Sequence, residues 1–368
     1  MTKLCLIFNK LPLYRYEIYR LIDRTYDCDW YYGKSLTSVK LMDPNSLKNA
    51  CMFNSIRFFG SLEWKKGVIP LLFKKEYKTF FMIHETRCIS DWLFVLLQVL
   101  FFPSKQIYIW GHGWYGKETN FERIVKRWLF KKVTGSFVYS NYAKALMIKQ
   151  GIPDNRIFVI HNSLSYSEQI KLRSLGLKSD IYSDHFGNNY PILLFIGRLT
   201  PVKRLDMLID ALASLKTDGN QFNLVFVGDG TEIAFLKERA NRKCVSNQIW
   251  FYGECYDEKT NAELIYNADL CVAPGNIGLT AIHSMVFGTP CLTHNDYKWQ
   301  MPEFETIQEW KTGLFFERNN VNSMVNAIKK WFTIKGNQRD VVRQDCYNEI
   351  DTGWTPVYQI NLIKNTIK

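Results

Sequence analysis

The segment from Phe195 to Lys203 (FIGRLTPVK) contains residue types that bind phosphate groups. It begins in an apolar run, residues 192–196, that predicts a β-strand. Gly197 allows a sharp turn after this strand, and Arg198 and Lys203 then place two cations in the loop. Such a pair suits a diphosphate whose negative charge grows as it leaves a sugar. A solvated basic loop would have the same sequence, so that alternative stays open.

A second possible anion site lies between Ala273 and Pro290 (APGNIGLTAIHSMVFGTP), where a predicted strand, a glycine-containing loop and a helix start follow one another. The first N–H groups of a helix have no partner within the helix. The amides of Gly278, Leu279 and Thr280 can therefore bind an anion. A plain strand-to-helix connection is equally compatible with this segment.

The first half of the chain has a candidate histidine in a similar place. His112 and Trp114 lie in WGHGWYG, residues 110–116, directly after a predicted strand at 107–110. Ligands of parallel sheets bind at the carboxyl ends of strands, which favours a site role for His112 over the structural role that a lone histidine more often has. The turn after the first predicted strand, residues 9–15, is either a second part of this site or a simple entry into a helix.

Short apolar strands alternate with helical segments along the whole chain, which predicts an α/β protein with parallel sheets. The polar, turn-rich stretch 176–190 predicts a domain boundary. We therefore expect an N-terminal Rossmann-like domain at 1–185, a second one at 186–345, and a C-terminal segment, 346–368, that packs back toward the N-terminal domain. Two doubly wound domains of this kind would face each other across a cleft that holds the active site.

An ordered set of motifs in the second half resembles family 4 glycosyltransferases of the GT-B fold, of the type that builds bacterial surface polysaccharides. The set consists of GRLTPVK at 197–203, VGDG at 227–230, YGE at 252–254, ADL at 268–270, FGTP at 287–290, MPE at 301–303 and TGLFF at 312–316. In the first half, residues 137–162 look like the family's last segment before the linker.

The resemblance implies a retaining, metal-independent transferase that moves a sugar from a nucleoside diphosphate, with UDP expected and GDP or dTDP as alternatives. Gly197, Arg198 and Lys203 would hold the diphosphate, and the amides at 278–280 would complete that site. Glu254 and Cys255 would lie near the base.

The resemblance also assigns roles in the first half of the chain. It places His112 near the bond to the leaving group. His112 would thus be a catalytic residue, together with Arg198 and Lys203. The loop after the first strand, with Tyr14 and Arg15, would meet donor and acceptor, and Trp114 would contact the acceptor. No other cofactor is implied, since the nucleotide sugar is a substrate.

This sequence departs from the family at two positions. Family members typically carry two glutamates separated by seven residues, and aligned on Gly278 these positions are Gly275 and His283. His283 could hydrogen-bond a ribose hydroxyl, whereas Gly275 has no side chain to contact the sugar. Glu303 or Glu305 could compensate, or the site could take a less polar deoxy- or N-acetyl sugar.

The net charge of +12 arises in the N-terminal half. Residues 1–190 contain 28 Lys+Arg and 15 Asp+Glu, a balance of +13, whereas residues 191–368 contain 19 and 20, a balance of −1. The segment 121–134 (FERIVKRWLFKKVT) combines an apolar stripe with five cations, as in a helix lying on anionic lipid. Further cations between 65 and 78 (Lys65, Lys66, Lys74, Lys75 and Lys78) extend this basic region. An ordinary amphipathic helix packed on the sheet remains the alternative.

Several classes are disfavoured by the composition. The 47% hydrophobic content argues against a disordered chain, and the nine cysteines form no C-x-x-C pair, which favours reduced core residues over a zinc site. The longest apolar run, residues 92–102, is about half of what a spanning helix needs. No nucleic-acid motif is present. One D-x-D, residues 27–29, matches metal-dependent glycosyltransferases of another fold, but such a match is common by chance.

The sequence therefore predicts a cytoplasmic glycosyltransferase, peripheral at the inner face of the membrane. We expect its acceptor to be a lipid-linked glycan in surface polysaccharide or lipopolysaccharide synthesis. The alternative is a catalytically weak sugar-nucleotide or glycan-binding protein that keeps the GT-B fold, which the two missing glutamates favour.

Overall fold

The computed structural model describes residues 3–34, 40–58 and 62–367. The chain forms two compact units. Unit 1 comprises residues 1–165 together with 356–368, and unit 2 comprises residues 166–355.

The described part of the chain contains fifteen strands and thirteen α-helices. The strands are β1 (Lys3–Phe8), β2 (Cys28–Gly33), β3 (Ala50–Phe53), β4 (Ser55–Phe58), β5 (Leu62–Lys65), β6 (Tyr77–Ile83), β7 (Gln106–Gly111), β8 (Gly135–Val138), β9 (Ile157–Val159), β10 (Ile192–Ile196), β11 (Asn223–Val227), β12 (Ile249–Gly253), β13 (Leu270–Ala273), β14 (Cys291–His294) and β15 (Gly313–Phe316). The helices are α1 (Tyr16–Thr25), α2 (Ile89–Phe101), α3 (Asn120–Lys132), α4 (Asn141–Lys149), α5 (Tyr166–Arg173), α6 (Ile181–Phe186), α7 (Leu205–Thr217), α8 (Ile233–Arg242), α9 (Glu258–Asn267), α10 (Thr280–Val286), α11 (Val321–Lys335), α12 (Arg339–Gly353) and α13 (Pro356–Thr366).

Unit 1 is built on a seven-stranded parallel sheet with the order β3-β2-β1-β6-β7-β8-β9. Strands β4 and β5 form a separate antiparallel pair. Side chains alternate between the two faces of β1, as the pleat requires: Cys5 and Ile7 join one core, whereas Leu4, Leu6 and Phe8 join the other. The first core includes residues of α2, α3 and α4, and the second includes residues of α1 and α13. Helices therefore cover both faces of this sheet.

Unit 2 contains a six-stranded parallel sheet with the order β12-β11-β10-β13-β14-β15. All five residues of β10 and of β11 are buried, as expected for central strands covered on both faces. In each sheet the strand order reverses beside one strand. In unit 1 β1 lies between β2 and β6, and in unit 2 β10 lies between β11 and β13. Such reversals are the usual ligand sites of doubly wound sheets.

The expected α/β class with two Rossmann-like domains is confirmed. The unit division differs from the expected boundaries at both ends. Helix α5 lies in unit 2 because Gln169 donates to Glu258 at 2.7 Å and Arg173 pairs with Asp351 at 2.7 Å. The C-terminal segment is divided, since α12 belongs to unit 2, whereas α13 belongs to unit 1, where Gln359 accepts a hydrogen bond from Ser163 at 2.7 Å.

Candidate functional site

Two loops of unit 2 meet at the strand reversal beside β10. The first, residues 197–203, follows β10, and the second, residues 274–279, follows the neighbouring strand β13. Parallel strands end at the same edge of a sheet, so the two segments that the sequence singled out are brought together.

The loop after β10 is held against its neighbours through backbone contacts. Gly197 has a φ of 144°, a conformation that favours glycine. A Cβ atom on Gly228 would lie 2.0 Å from the carbonyl oxygen of Gly197. The hydroxyl of Thr280 donates to the carbonyl of Ile196 at 2.8 Å. The path of this loop is therefore fixed before any ligand binds.

Arg198 and Lys203 are presented by this fixed loop. Arg198 is exposed, and Lys203, at the end of the 3-10 turn Pro201–Lys203, is half-buried. Lys203 Nζ donates to the carbonyl oxygen of Asn276 at 2.6 Å and to its Oδ1 at 2.8 Å. Neither cation makes an ion pair within the described residues. Two cations are thus available to an anion.

Burial lowers the pKa of Lys203 to about 8, and the charge of Arg198 acts in the same direction, while Glu303 opposes the shift. Glu303 is buried in the 3-10 turn Pro302–Thr306, and Glu305 is half-buried in the same turn. The structure thus brings Glu303 into the electrostatic environment of Lys203.

Gly275 occupies a position where a side chain has no room. A Cβ atom there would lie 2.0 Å from the carbonyl oxygen of Val202 and 2.8 Å from the Cα of Lys203. The amide of Gly275 donates to the carbonyl of Lys203 at 2.9 Å. The glycine at the position of the first family glutamate therefore has a steric reason in this chain, because it lets the two loops touch.

A buried polar network, not anticipated from the sequence, supports the loop after β13. Gln300 Nε2 donates to Thr293 Oγ1 at 2.8 Å, and Gln300 Oε1 accepts from the amide of Ile277 at 3.0 Å. Thr293 Oγ1 in turn donates to the carbonyl of Ala273 at 2.8 Å. The sequence signal was the glutamine directly before the MPE motif, which by itself predicts no partner.

The expected amide site consists of Gly278, Leu279 and Thr280, which precede or begin α10. Gly278 has a φ of 57°, and α10 starts at Thr280. The neighbouring amide of Ile277 is already bonded to Gln300. The structure places these amides beside the Lys203 loop, since Thr280 bonds the end of β10.

His283 is paired with a carboxylate from another helix. Its Nε2 lies 3.0 Å from Glu258 Oε1, which also accepts from Gln169 Nε2 at 2.7 Å. Burial would lower the pKa of His283, but the Glu258 charge and hydrogen bond raise it above its usual value. Burial would likewise raise the pKa of Glu258, but His283 and Gln169 hold it below its usual value. The imidazole at the second family-glutamate position therefore has a carboxylate partner.

The residues proposed to lie near the base follow β12. Glu254 is exposed and accepts a hydrogen bond from the Tyr256 hydroxyl. Cys255 is half-buried, and burial raises the pKa of its thiol. The amide of Gly228, after β11, donates to the carbonyl of Gly253 at 2.7 Å, which places this turn next to the loops already described.

In unit 1, Arg15 and His112 lie at the carboxyl edge of the sheet. Arg15 ends a 3-10 turn after β1, and its Nη2 donates to the Tyr139 hydroxyl at 2.5 Å. His112 follows β7 in the chain. The centroids of its ring and of the Tyr139 ring are 4.9 Å apart. Burial, followed by the charges of Arg15 and Lys126, lowers the pKa of His112 to about 4. His112 is therefore neutral near pH 7. The expected acceptor residue Tyr14 is half-buried, and its ring lies beside the Arg15 guanidinium.

Trp114 differs from its expected place in an acceptor site. Its side chain is 2% exposed, packs on Phe130 with ring centroids 5.4 Å apart, and lies under Lys126 Nζ at 5.3 Å. It belongs to the core beneath α3, so we propose no sugar contact for it.

The buried face of helix α3 is not the apolar stripe that the sequence predicts. Thr119 and Glu122 form a capping box that fixes its start. Lys126 is buried and donates to Glu118 at 2.9 Å, whereas Phe121 and Ile124 are 76% and 69% exposed. The face of α3 that packs on unit 1 therefore contains a paired lysine, and two apolar residues of the helix stay exposed.

The basic region between residues 65 and 78 is divided by burial. Lys65 is 1% exposed and pairs with Asp91 of α2 at 2.9 Å. Burial would lower the pKa of Lys65, but Asp91 raises it above its usual value. Lys66, Lys74, Lys75 and Lys78 are exposed. Lys65 is therefore a core residue, in contrast to the expected surface cation.

The D-x-D segment takes part in unit 1 packing. Asp29 lies in β2, pairs with Lys3 at 2.7 Å and accepts from the Tyr77 hydroxyl at 2.5 Å. Within residues 3–34, 40–58 and 62–367, no cluster of three or more His, Cys, Asp or Glu side chains has an arrangement that could hold a metal ion. None of the helices in these ranges combines the length and the apolar run needed to cross a bilayer.

Residues 181–347 match the family model described as glycosyl transferases group 1. A GDP-mannose-dependent alpha-(1-6)-phosphatidylinositol dimannoside mannosyltransferase of Mycobacterium tuberculosis is 38% identical over 104 residues, 27% of this chain and 26% of that protein. The match thus spans about a quarter of that relative's length.

Two solved structures match nearly the entire chain. The lipopolysaccharide outer core galactosyltransferase WaaB in its apo form has a TM-score of 0.72 and 15% identity, covering 99% of both chains. HepE of Anabaena in complex with UDP has a TM-score of 0.70 and 15% identity, again covering 99% of both chains. The chain has the GT-B fold. The family-model match and these structural neighbours together support its assignment as a glycosyltransferase of the GT-B type.

Proposed function

We propose that this protein is a retaining glycosyltransferase that moves a sugar from a nucleoside diphosphate to a glycan acceptor. The observation that carries the proposal is the pair Arg198 and Lys203, presented by a rigid loop at the strand reversal of unit 2 without an ion pair in the described chain. A diphosphate would supply the missing negative charge. Its charge increases as the bond to the sugar breaks, so both cations would stabilise the transition state more than the substrate.

The donor would be a nucleotide sugar, with UDP as the expected nucleotide. HepE, a structural neighbour, is described in complex with UDP, which supports this choice. The mannosyltransferase relative is named as GDP-mannose-dependent, so GDP remains the main alternative, with dTDP after it. Glu254 and Cys255 would lie near the base, and the amides at 278–280 would contact the diphosphate.

The chemistry we propose needs neither a protein base nor a metal ion. In front-face attack, the acceptor oxygen forms its bond to the anomeric carbon on the side from which the diphosphate leaves. The acceptor's proton passes to the leaving phosphate oxygen. Retention of configuration follows, and Lys203 and Arg198 neutralise the departing charge.

The acceptor would be lipid-linked and part of surface polysaccharide or lipopolysaccharide synthesis, with the protein bound to an anionic membrane surface. Support comes from α3 and the end of α2. Phe121 and Ile124 are exposed beside the cations Arg123, Arg127 and Lys131. Leu100 and Phe101 of α2 are 60% and 66% exposed. Exposed apolar residues among cations favour an anionic lipid surface.

The catalytic proposal is tested by incubating the purified protein with UDP-, GDP- and dTDP-sugars together with a panel of glycan acceptors and measuring released nucleotide. We expect one donor to be turned over, and Lys203→Ala to lower kcat/KM by about a hundredfold, equivalent to about 2.7 kcal/mol of transition-state stabilisation. The exposed Lys330 of α11 gives a matched control, Lys330→Ala, with unchanged kinetics. Equal rates for both variants would contradict the role of Lys203.

The membrane proposal has its own test in vesicle flotation. The protein should float with vesicles containing anionic lipid and not with neutral ones. Arg127→Glu with Lys131→Glu should abolish flotation, since each removed cation loses about 1 kcal/mol. The α11 pair Lys330→Glu with Lys335→Glu, of which Lys330 is exposed and Lys335 half-buried, is the control in unit 2. Absence of flotation of the wild type with either lipid would refute membrane binding.

The alternative, a sugar-nucleotide-binding protein with little turnover, is favoured by the absence of both family glutamates. Gly275 has no room for a side chain, and the His283 imidazole is already bonded to Glu258. Saturable nucleotide-sugar binding without released nucleotide, in the presence of every acceptor tested, would select this alternative.

A further inference from the structure

The guanidinium of Arg15 is a buried cation that has no counter-ion among the described residues. Its residue is 7% exposed, and its Nε is buried without a hydrogen-bond partner in the described part of the chain. Nη2 donates to the Tyr139 hydroxyl at 2.5 Å. Arginine has five N–H donors and stays charged at all ordinary pH values. A charge of this kind is rarely buried without an anionic partner.

Aromatic rings surround this guanidinium. Its central carbon lies 5.0 Å from the Trp110 ring centroid, 5.2 Å from that of Tyr139 and 5.5 Å from that of Tyr14. Rings attract a cation through their π faces but accept no strong hydrogen bond from its N–H edge. The rings therefore orient the guanidinium and leave its charge unneutralised.

A second polar atom at the same edge also lacks a partner. His112 Nδ1 is buried without a hydrogen bond in the described residues, and its ring contacts Tyr139, the hydroxyl partner of Arg15. The Arg15 charge contributes to the lowered pKa of His112, as expected for neighbours. Both residues follow strands close to the reversal between β1 and β6, where ligands of such sheets bind.

We propose that Arg15 binds an anionic oxygen group, a phosphate or a carboxylate, carried by the acceptor. The inference rests on the proposed function, because it assigns the ligand of unit 1 to the acceptor. A planar guanidinium matches two oxygens of such a group, and it loses less hydration than an ammonium ion when buried. The acceptor is accordingly an acidic molecule, either a sugar phosphate or phospholipid-linked glycan or an acidic sugar.

The test observes Arg15 directly by NMR of the arginine Nε–H groups in the full chain. Arg198→Ala and Lys203→Ala are both introduced so that the loop of unit 2 does not bind the probe. Arg15→Lys in this background assigns the signal by its disappearance. The probes are inorganic phosphate, glucuronate and, as the neutral control, glucose.

We expect the Arg15 signal to shift saturably with phosphate or with glucuronate and not with glucose. A response to phosphate alone assigns a phosphate-bearing acceptor, and a response to glucuronate alone assigns an acidic sugar. Signals of exposed arginines such as Arg24 should not saturate. No saturable shift of the Arg15 signal with either anion would overturn the proposal.

Thermal unfolding gives an independent measurement. Without anion, Arg15→Met should unfold at the wild-type temperature or above, because it removes an unpaired buried charge. It should also lose the stabilisation that phosphate gives the Arg198→Ala, Lys203→Ala background. Arg24→Met is the matched control on α1. A lower unfolding temperature for Arg15→Met than for Arg24→Met would assign Arg15 a structural role and overturn the inference.

The outcomes separate this inference from the proposed function. If the wild type turns over a nucleotide sugar while the Arg15 signal responds to neither anion, only the proposal of an acidic acceptor is refuted. If Arg15 binds an anion while no nucleotide sugar is bound or turned over, the transferase proposal fails and unit 1 retains an anion site.

Discussion

The amide of Gly275 donates a hydrogen bond to the carbonyl oxygen of Lys203 at 2.9 Å, so the loops after β10 and β13 touch through their backbones. This contact leaves no space for a Cβ atom at Gly275, which would lie 2.0 Å from the carbonyl oxygen of Val202. The position of the Lys203 ammonium therefore depends on a residue that has no side chain.

Gly275→Ala should weaken nucleotide binding by moving the Lys203 loop. We expect a loss of about 1–3 kcal/mol in the free energy of unfolding, the usual cost of overpacking, and about tenfold weaker UDP binding. Urea unfolding and calorimetric titration measure the two effects. Gly219→Asn is the control, since Gly219 has a φ of 78°, which asparagine tolerates, and open space around it. Unchanged UDP affinity for Gly275→Ala would contradict the coupling of the two loops.

Nucleotide affinity should depend on pH through Lys203. Burial lowers the pKa of this ammonium to about 8, so the free protein loses the charge as the pH rises through that value. A bound diphosphate favours the charged form, and binding should therefore take up a proton near pH 8. We expect affinity to fall by up to about tenfold per pH unit above that pKa.

Calorimetry in buffers of different ionisation enthalpy measures this proton uptake. Lys203→Arg keeps its charge throughout the range and should have a flat profile. A wild-type affinity that stays constant between about pH 7 and 9.5 would exclude Lys203 as the titrating group.

The pair formed by His283 and Glu258 should stabilise unit 2 in a defined pH window. The pKa of His283 is raised, so its contribution is complete below about pH 6.5 and is lost as the pH rises through the folded-state value. The pKa of Glu258 is lowered, so its contribution is present above about pH 4.3 and is lost as the pH falls through the folded-state value. Glu258→Gln should therefore cost about 1 kcal/mol near pH 6 and less near pH 8.5.

Urea unfolding at both pH values checks this expectation. Glu238→Gln removes an exposed partner of Arg242 on α8, and its small effect should be equal at the two pH values, because this pair contains no histidine. A cost for Glu258→Gln that is larger at the higher pH would have the wrong sign.

The buried pair of Lys65 and Asp91 should be the most sensitive ion pair of unit 1. Both side chains are 1% exposed, and Asp91 lies 2.9 Å from the ammonium. Asp91→Asn leaves a buried lysine without its counter-charge and should cost about 3–5 kcal/mol in the free energy of unfolding. Glu76→Gln, in the exposed pair with Lys74, should cost less than about 1 kcal/mol. Equal effects in chemical denaturation would argue against the burial of Lys65.

The alternating strands, the strand at 192–196 and the cationic loop that follows were readable from the sequence, because apolar periodicity and glycine positions are local properties. The strand predicted before the glycine-containing loop of 273–290 corresponds to β13 (Leu270–Ala273). The strand β2, which lies between β1 and β3, and the edge strand β15 were missed, since their residues alternate weakly.

Other features were decided by tertiary contacts alone. Asp91 lies in the first turn of α2, which starts at Ile89, and its carboxylate pairs with Lys65 from β5. Trp114 looked like a sugar-binding aromatic, yet it packs under α3. Gly275 looked like a lost glutamate, whereas a steric contact from another loop requires glycine there.

The sequence by itself determined the fold class, the two cations Arg198 and Lys203 in the loop after β10, and the excess of positive charge in the first half. The tertiary structure decided which charges are available. It buried Lys65 and Lys126 against carboxylates, and it left Arg15 buried without a carboxylate partner in the part of the chain that the structure describes. The physical reason is that propensity and periodicity act between neighbours in the chain, whereas the neutralisation of a charge depends on groups that only folding brings within a few ångströms.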